Sequence, residues 1–178
     1  MITTVTMNPC IDRMVTIESF TYGGMNRILD SRIDASGKGI NVAIAYTQLG
    51  GRALCTGINY RERGNLIVEL LDGKGIEHDF VNVDGEVRIN HKIYDRSKQV
   101  VTELNESGYP IDTLALEKVK EKVITHSSNS EILVISGSIP KGVPDTIYKD
   151  LLKAVSHLPV KTILDAEGSL LLEGIKEK

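Results

Sequence analysis

The sequence predicts an α/β protein built on a mainly parallel central sheet. Two observations carry that prediction. Short β-rich runs alternate with helical ones along the chain, and Ile132-Leu133-Val134-Ile135 is apolar on both faces, as a strand covered by helices must be. Strand, helix, strand, helix implies right-handed crossovers.

Ile2 to Met7 reads as the first strand. A helix follows in which Ile40, Ala43 and Ile44, with Val42, Tyr46 and Leu49, recur at helical spacing until Gly50-Gly51 stops the pattern. Ala53 to Gly57 is a second strand, followed by a helix whose Leu66, Ile67, Leu70 and Leu71 share a face and which Gly73 or Gly75 ends. A long amphipathic helix follows Pro110, with Leu114, Leu116, Val119, Val123 and Ile124 on or near one side. Pro144-Asp145 starts another helix through Ile147, Leu151, Leu152 and Val155. Thr162-Ile163-Leu164 reads as a further buried strand, and a helix follows it around Leu172-Glu173-Gly174.

Two stretches break this rhythm. Arg13 to Ile17 with Asn26 to Ile33, and Val87 to Tyr94 with Gln99 to Leu104, read as antiparallel ribbons, the second turned by Asp95-Arg96-Ser97-Lys98. Lacking crossover helices, they should form a small separate sheet near residues 13–33 and 87–105. Such a sheet serves as a lid, or as an edge that pairs with a second copy.

Composition narrows the function. The 178 residues, 41% hydrophobic and 25% charged, suffice for one sizeable core. With 24 acidic against 21 basic side chains the net charge is −3, which gives nucleic acid no basic field to meet. The start, Met1-Ile2-Thr3-Thr4, has neither a basic segment nor a long apolar one, and the longest aliphatic run is far too short to span a bilayer, so a cytoplasmic protein is expected. Cys10 and Cys55 alone offer no disulfide framework or cysteine-based metal site. His78, His91, His126 and His157 lack ligand spacing, so no metal site is expected from them.

The most informative segment is Ala35-Ser36-Gly37-Lys38-Gly39-Ile40-Asn41-Val42-Ala43, where two glycines flank a lysine as a loop becomes a helix. Free N–H groups and the positive dipole end of that helix would face the glycine loop, and Lys38 adds a point charge, so the place suits an anion. A glycine cluster before a helix also serves as a plain turn. It is neither a P-loop, since Arg32 and Gly39 stand where that motif needs Gly and Ser or Thr, nor a dinucleotide fingerprint, since Val42 replaces its third glycine.

Five motifs then fall in order along the whole chain: Asn8-Pro9-Cys10-Ile11-Asp12; Gly37-Lys38-Gly39-Ile40-Asn41-Val42-Ala43; Val87-Arg88-Ile89-Asn90; Ser136-Gly137-Ser138-Ile139-Pro140-Lys141-Gly142-Val143-Pro144; and Leu164-Asp165 with Gly168. In order and spacing the chain resembles the ribokinase-like, phosphofructokinase B family. Within it, the opening and the Arg-Ile-Asn strand look most like the 1-phosphofructokinases, with tagatose-6-phosphate kinases close behind. The resemblance implies a ribokinase-like three-layer sandwich with a small β lid that often dimerises. It also implies ATP-dependent, Mg²⁺-assisted phosphorylation of a hydroxyl on a ketose monophosphate.

Carried over by residue, the resemblance implies that Asp12 accepts hydrogen bonds from sugar hydroxyls, as an acceptor-only carboxylate can. Gly37, Gly39 and Asn41 would contact the sugar through backbone and amide groups. Lys38, Arg27 and Arg88 would surround the phosphate already on the substrate, where the planar fork of arginine binds two oxygens at once. Asn90 would join the sugar contacts. Ser138 lies just past a buried strand, at the sheet edge where α/β proteins bind ligands. Asp165, at the matching edge of the next strand, would lie near ATP phosphates or metal.

The chain also departs from the family. Phosphoryl transfer needs a positioned base and an electrostatic cradle, which the family draws from a Gly-Ala-Gly-Asp-like motif near its C-terminus. No glycine here is followed by aspartate, so the catalytic aspartate is expected beyond Lys178 and the 178 residues alone are expected to be inactive. They then represent the N-terminal portion of a longer kinase, or a truncated module that binds sugar phosphate or itself. Ser36 stands where the family usually has glycine, and Asn59 to Arg63 where it usually has a glycine-rich turn.

Overall fold

The computed structural model describes residues 1–177. Five parallel strands form the central sheet: β1 (Ile2–Thr6), β4 (Ala53–Glu62), β5 (Glu77–Glu86), β8 (Ile132–Ser136) and β9 (Lys161–Asp165), in the order β5-β4-β1-β8-β9. Every residue of β1 is buried, which its β-branched sequence Ile-Thr-Thr-Val-Thr suits. The hydroxyls of Thr3 and Thr4 find local partners, Thr3 Oγ1 lying 2.8 Å from Ser130 Oγ.

The crossovers carry α1 (Lys38–Gln48), α2 (Gly64–Asp72), α3 (Thr113–Ser127) and α4 (Ile147–Val155), and α5 (Gly168–Gly174) follows β9. Right-handed connections put α1 and α2 on one face and α3 and α4 on the other. The packing agrees, with α1 on β1, β4 and β8, and α3 on β4, β5, β1 and α4. Helix α3 starts where Asp112 accepts a hydrogen bond from the Ala115 N–H at 2.7 Å. It buries Leu116, Val119 and Val123, as its periodicity predicts.

The two predicted ribbons are present: β2 (Cys10–Ile17) pairs antiparallel with β3 (Ile28–Ser36), and β6 (Arg88–Asp95) with β7 (Val100–Asn105). They join through a parallel pairing of β2 with β6, giving a mixed sheet of order β3-β2-β6-β7. Sequence patterning did not foresee that join, because the two strands are far apart in the chain.

Other differences have simple physical causes. Strand β5 was missed, since its polar sequence fits an edge position whose outer side faces solvent. Strand β9 is a sheet edge among the described residues, not a buried strand, and Ile163 is 50% exposed. Leu49 is 86% exposed because α1 ends at Gln48 and Leu49 caps it; Leu114, on the outer face of α3, is also exposed. Helix α4 begins at Ile147, after a turn in which the Ile147 N–H bonds to Pro144 O at 3.0 Å. From Asn59 to Glu62 the chain continues β4, and the turn into α2 falls on Arg63 alone, which takes φ 61°, while the buried Asn59 amide donates to Gly64 O at 3.0 Å.

The β6–β7 turn is held by Asp95, whose carboxylate accepts from Phe20 N–H (2.9 Å), Ser97 Oγ (2.7 Å) and Lys98 N–H (3.0 Å). The Phe20 N–H leads the donors that hold its pKa down at about 2. A carboxylate depressed in the fold stabilises it fully above the unfolded value, near about 3.9, and loses that contribution as pH falls through about 2. Asp95→Ala is therefore expected to speed amide exchange at Phe20 and Lys98 at neutral pH and to leave it near wild type below pH ~2. Equal protection in both proteins at neutral pH would refute this.

Candidate sugar-phosphate site

The sheet order changes direction around β1: the chain runs outward through β4 and β5, then returns to place β8 and β9 on the other side. In parallel α/β sheets ligands bind at such a switch, outside the carboxyl ends of the strands. A cavity of about 160 Å³ lies there, lined by Thr6 and Asn8 at the end of β1, Ser136 to Ser138 at the end of β8, and Lys38, Arg88 and Glu167. A larger hollow of about 510 Å³ sits at the β5 edge beside α3, away from any of the five motifs. Chemistry rather than volume marks the smaller one. Thr6 Oγ1, Asn8 Oδ1 and Arg88 Nε are buried without a hydrogen-bond partner among the described residues, and all three belong to residues lining it. Native proteins rarely leave such atoms orphaned unless something else meets them.

Helix α1 points its N-terminus at this place. Gly37, at φ 128°, caps it without any side-chain hydrogen bond, so the first-turn N–H groups are not taken by a capping side chain. Gly39 follows because nothing larger fits: an added Cβ would lie 2.5 Å from both Thr6 Oγ1 and Val5 O. Lys38 projects between them, exposed, with its own Cβ against Gly137. Asn41 is tied back to Ser36 through a 3.4 Å contact between its side-chain amide and Ser36 Oγ. Beyond β8, Asn8 Nδ2 donates to Ser138 Oγ at 3.2 Å, and the buried Tyr148 hydroxyl donates to Gly137 O at 3.0 Å, fixing the loop. Asp165 accepts from Ser136 Oγ at 2.7 Å.

A second cluster lies on one face of the mixed sheet. The register aligns Asp12 with Asn90, and Asn90 Nδ2 donates to Asp12 Oδ1 at 3.1 Å. Lys92 Nζ meets Asp12 Oδ2 at 2.6 Å. Burial alone would raise the Asp12 pKa, but hydrogen bonds from Lys92 and Ser36, the Lys92 charge and the Asn90 amide outweigh it and hold the carboxyl below its ordinary range. Cys10, buried beside Asn90, is pushed up to about 11 by desolvation, so its thiol stays protonated and inert.

Arg88 links the two clusters. Its Nη1 donates to Asn90 Oδ1 at 3.1 Å and Glu106 O at 3.2 Å, and its Nη2 donates to Asn8 O at 3.2 Å. A carboxylate is thus tied through Asn90 to an arginine that borders the cavity together with Lys38 and the N-terminus of α1.

Residues 5–177 match the pattern of the pfkB family carbohydrate kinases. The chain belongs to that family. A 1-phosphofructokinase of Borreliella burgdorferi is 31% identical over 168 residues, which cover 94% of this chain and 53% of that one. A tagatose-6-phosphate kinase of Staphylococcus epidermidis is 30% identical over 173 residues, 97% of this chain and 55% of that one. Among solved structures, phosphofructokinase-2 from Escherichia coli in complex with fructose-6-phosphate superposes with a TM-score of 0.92 at 26% identity, covering 98% of this chain and 57% of that one. The chain spans about half the length of the curated relatives it matches.

Of the residues expected to bind substrate, Asp12, Gly37, Lys38, Gly39, Asn41, Arg88, Asn90 and Ser138 lie in or beside these two clusters. Arg27 does not: it is exposed just before β3, and that nine-residue strand, roughly 30 Å long, separates it from Ser36. Sequence reasoning does not single out Lys92, Thr6 or Glu167, and names Asn8 only as the first residue of the opening motif. Lys92 had a legible signal, since Arg88, Asn90 and Lys92 alternate on one strand and must share a face. Glu167 had none, because its place in the cavity depends on how β9 hands over to α5.

Proposed function

We propose that these residues form the N-terminal, sugar-phosphate-binding part of an ATP-dependent kinase that converts fructose 1-phosphate to fructose 1,6-bisphosphate, with Mg²⁺, in the cytoplasm. The observation that carries the reading is an acceptor, Asp12, linked through Asn90 to Arg88, which together with Lys38 lines a cavity that also holds three orphaned polar atoms. A phosphorylated polyol needs both halves, acceptors for hydroxyls and cations for phosphate. Mg²⁺ is commonly held by one or two carboxylates plus phosphate oxygens, so exposed Asp165 at the end of β9 is a fitting contribution to the nucleotide side. Because no glycine precedes an aspartate, the base that deprotonates the attacking hydroxyl is assigned to a segment outside these residues. Tagatose 6-phosphate is the second substrate to test, given the 30% identity to a kinase named for it.

We also propose a homodimer through the mixed sheet. Its face and loop expose Tyr22, Met25, Ile28, Leu29, Ile33, Val101 and Leu104, a concentration of apolar surface that a second copy would cover.

One set of measurements on the 178-residue chain tests these readings. Calorimetry is expected to show binding of fructose 1-phosphate or tagatose 6-phosphate in preference to fructose, while coupled assays show no ATP-dependent turnover, since loss of a base and cradle costs about 10²-fold or more for each. Sedimentation is expected to show a dimer. Absence of sugar-phosphate binding would reject the site, robust turnover the missing base, and a monomer at high concentration the interface.

A further inference from the structure

We infer that Lys92 is a positioning residue: seated on Asp12 from the same face of β6 that carries Arg88 and Asn90, it fixes the carboxylate that would receive the sugar's hydroxyls. The inference rests on the sugar-phosphate reading above and adds to it the device that orients its acceptor.

The geometry is diagonal. Asp12 lies opposite Asn90 in the β2–β6 register, and Lys92 stands one pleat further along, opposite Met14. Its ammonium therefore reaches back along the strand to make the 2.6 Å contact. Glu103 lies directly across from Lys92 on β7, yet the ion pair goes to Asp12. On the other side, Asp34 faces Asp12 from β3 and is paired with Arg32 at 3.3 Å, so it competes little for Lys92. Asp12 Oδ1 is held by Asn90 and Oδ2 by Lys92. A carboxylate has about four acceptor sites. The Cys10 thiol is a weaker donor to Oδ1 at 3.6 Å and Ser36 a further one, so the acceptor capacity left over is small and held in a set orientation, as recognition of a sugar hydroxyl requires.

The pair lies mostly out of solvent, with side chains 15% and 28% exposed, and by holding Asp12 below its ordinary pKa it also contributes to folding, so Asp12 titration and ligand affinity, rather than stability, isolate the positioning role. What Lys92 supplies is rotamer and charge. Asn90 extends the chain to Arg88 through the 3.1 Å bond, so the hydroxyl acceptor and the phosphate cation are set by one connected network.

The test has two arms on the 178-residue chain. In the first, without ligand, carboxyl-labelled aspartate is followed by NMR: the Asp12 midpoint is expected to move upward in Lys92→Met and to stay low in Lys92→Arg. In the second, calorimetry with fructose 1-phosphate is expected to show binding about tenfold weaker in Lys92→Met and largely restored in Lys92→Arg, with inorganic phosphate unaffected. An unmoved midpoint, or unchanged sugar-phosphate affinity, overturns the inference. An equal loss for inorganic phosphate also overturns it, since Lys92 would then be a phosphate ligand. If the wild type binds no sugar phosphate the proposed function fails, and the titration alone decides whether Lys92 sets Asp12. Lys92→Gln replaces Lys92→Met should the latter not fold.

Discussion

Arg88→Ala is expected to weaken sugar-phosphate binding by about 2–5 kcal/mol in the kinase proposed above while leaving ATP binding nearly unchanged. Arg88 is half-buried, its Nε has no partner among the described residues, and its two Nη atoms reach Asn8 O, Asn90 Oδ1 and Glu106 O. The side chain is thus held in place before any phosphate arrives, which lowers the entropy cost of binding one. Arg88→Lys should recover only part of the loss, because an ammonium cannot reproduce a bidentate fork. Unphosphorylated fructose should be indifferent to either change. A rise in the ATP requirement with unchanged sugar-phosphate affinity would show that this cation serves the other substrate.

Gly39→Ala should cost about 1–3 kcal/mol of folding stability, or more, measured by urea denaturation. The added methyl would meet Thr6 Oγ1 and Val5 O at 2.5 Å and the Val5 carbonyl carbon at 2.9 Å, and two of those three atoms are backbone of the most buried strand. Helix α1 must therefore shift off β1, carrying Lys38 and the free N–H groups with it, so sugar-phosphate binding should fall along with stability. A variant as stable as wild type would mean that α1 can rise from β1 without cost.

The parts of the fold that sequence made legible are those governed by local patterning. Strands β1 and β8 show as apolar or β-branched runs, α2 and α3 as helical stripes, and the two ribbons as alternation around turns. What was not legible depends on neighbours. An edge strand such as β5 has no alternation to display, and the exposure of Ile163 follows from where β9 sits in the sheet. The candidate site divides the same way. Gly37, Lys38 and Gly39 announce themselves through residue type, and Asp12, Arg88 and Asn90 through motif. Lys92 acquires its role only from the parallel register that sets it beside Asp12, and Glu167 only from the path of the chain after β9.

The parallel seam between β2 and β6 also dictates when the site can exist. Each hairpin closes over a short loop, an event of about microseconds, but an isolated two-stranded ribbon is marginal in water. The seam joins Asp12 to Asn90 across a sequence separation of 78 residues. Contacts that distant form slowly, because the chain entropy is lost before the contact is gained. On the ribosome, the Gly37–Gly39 loop and the first hairpin emerge well before β6. Asp12 and Arg88, the proposed hydroxyl acceptor and phosphate cation, therefore meet in a single late step of assembly, and on the proposed function no earlier folding species should carry affinity for the sugar.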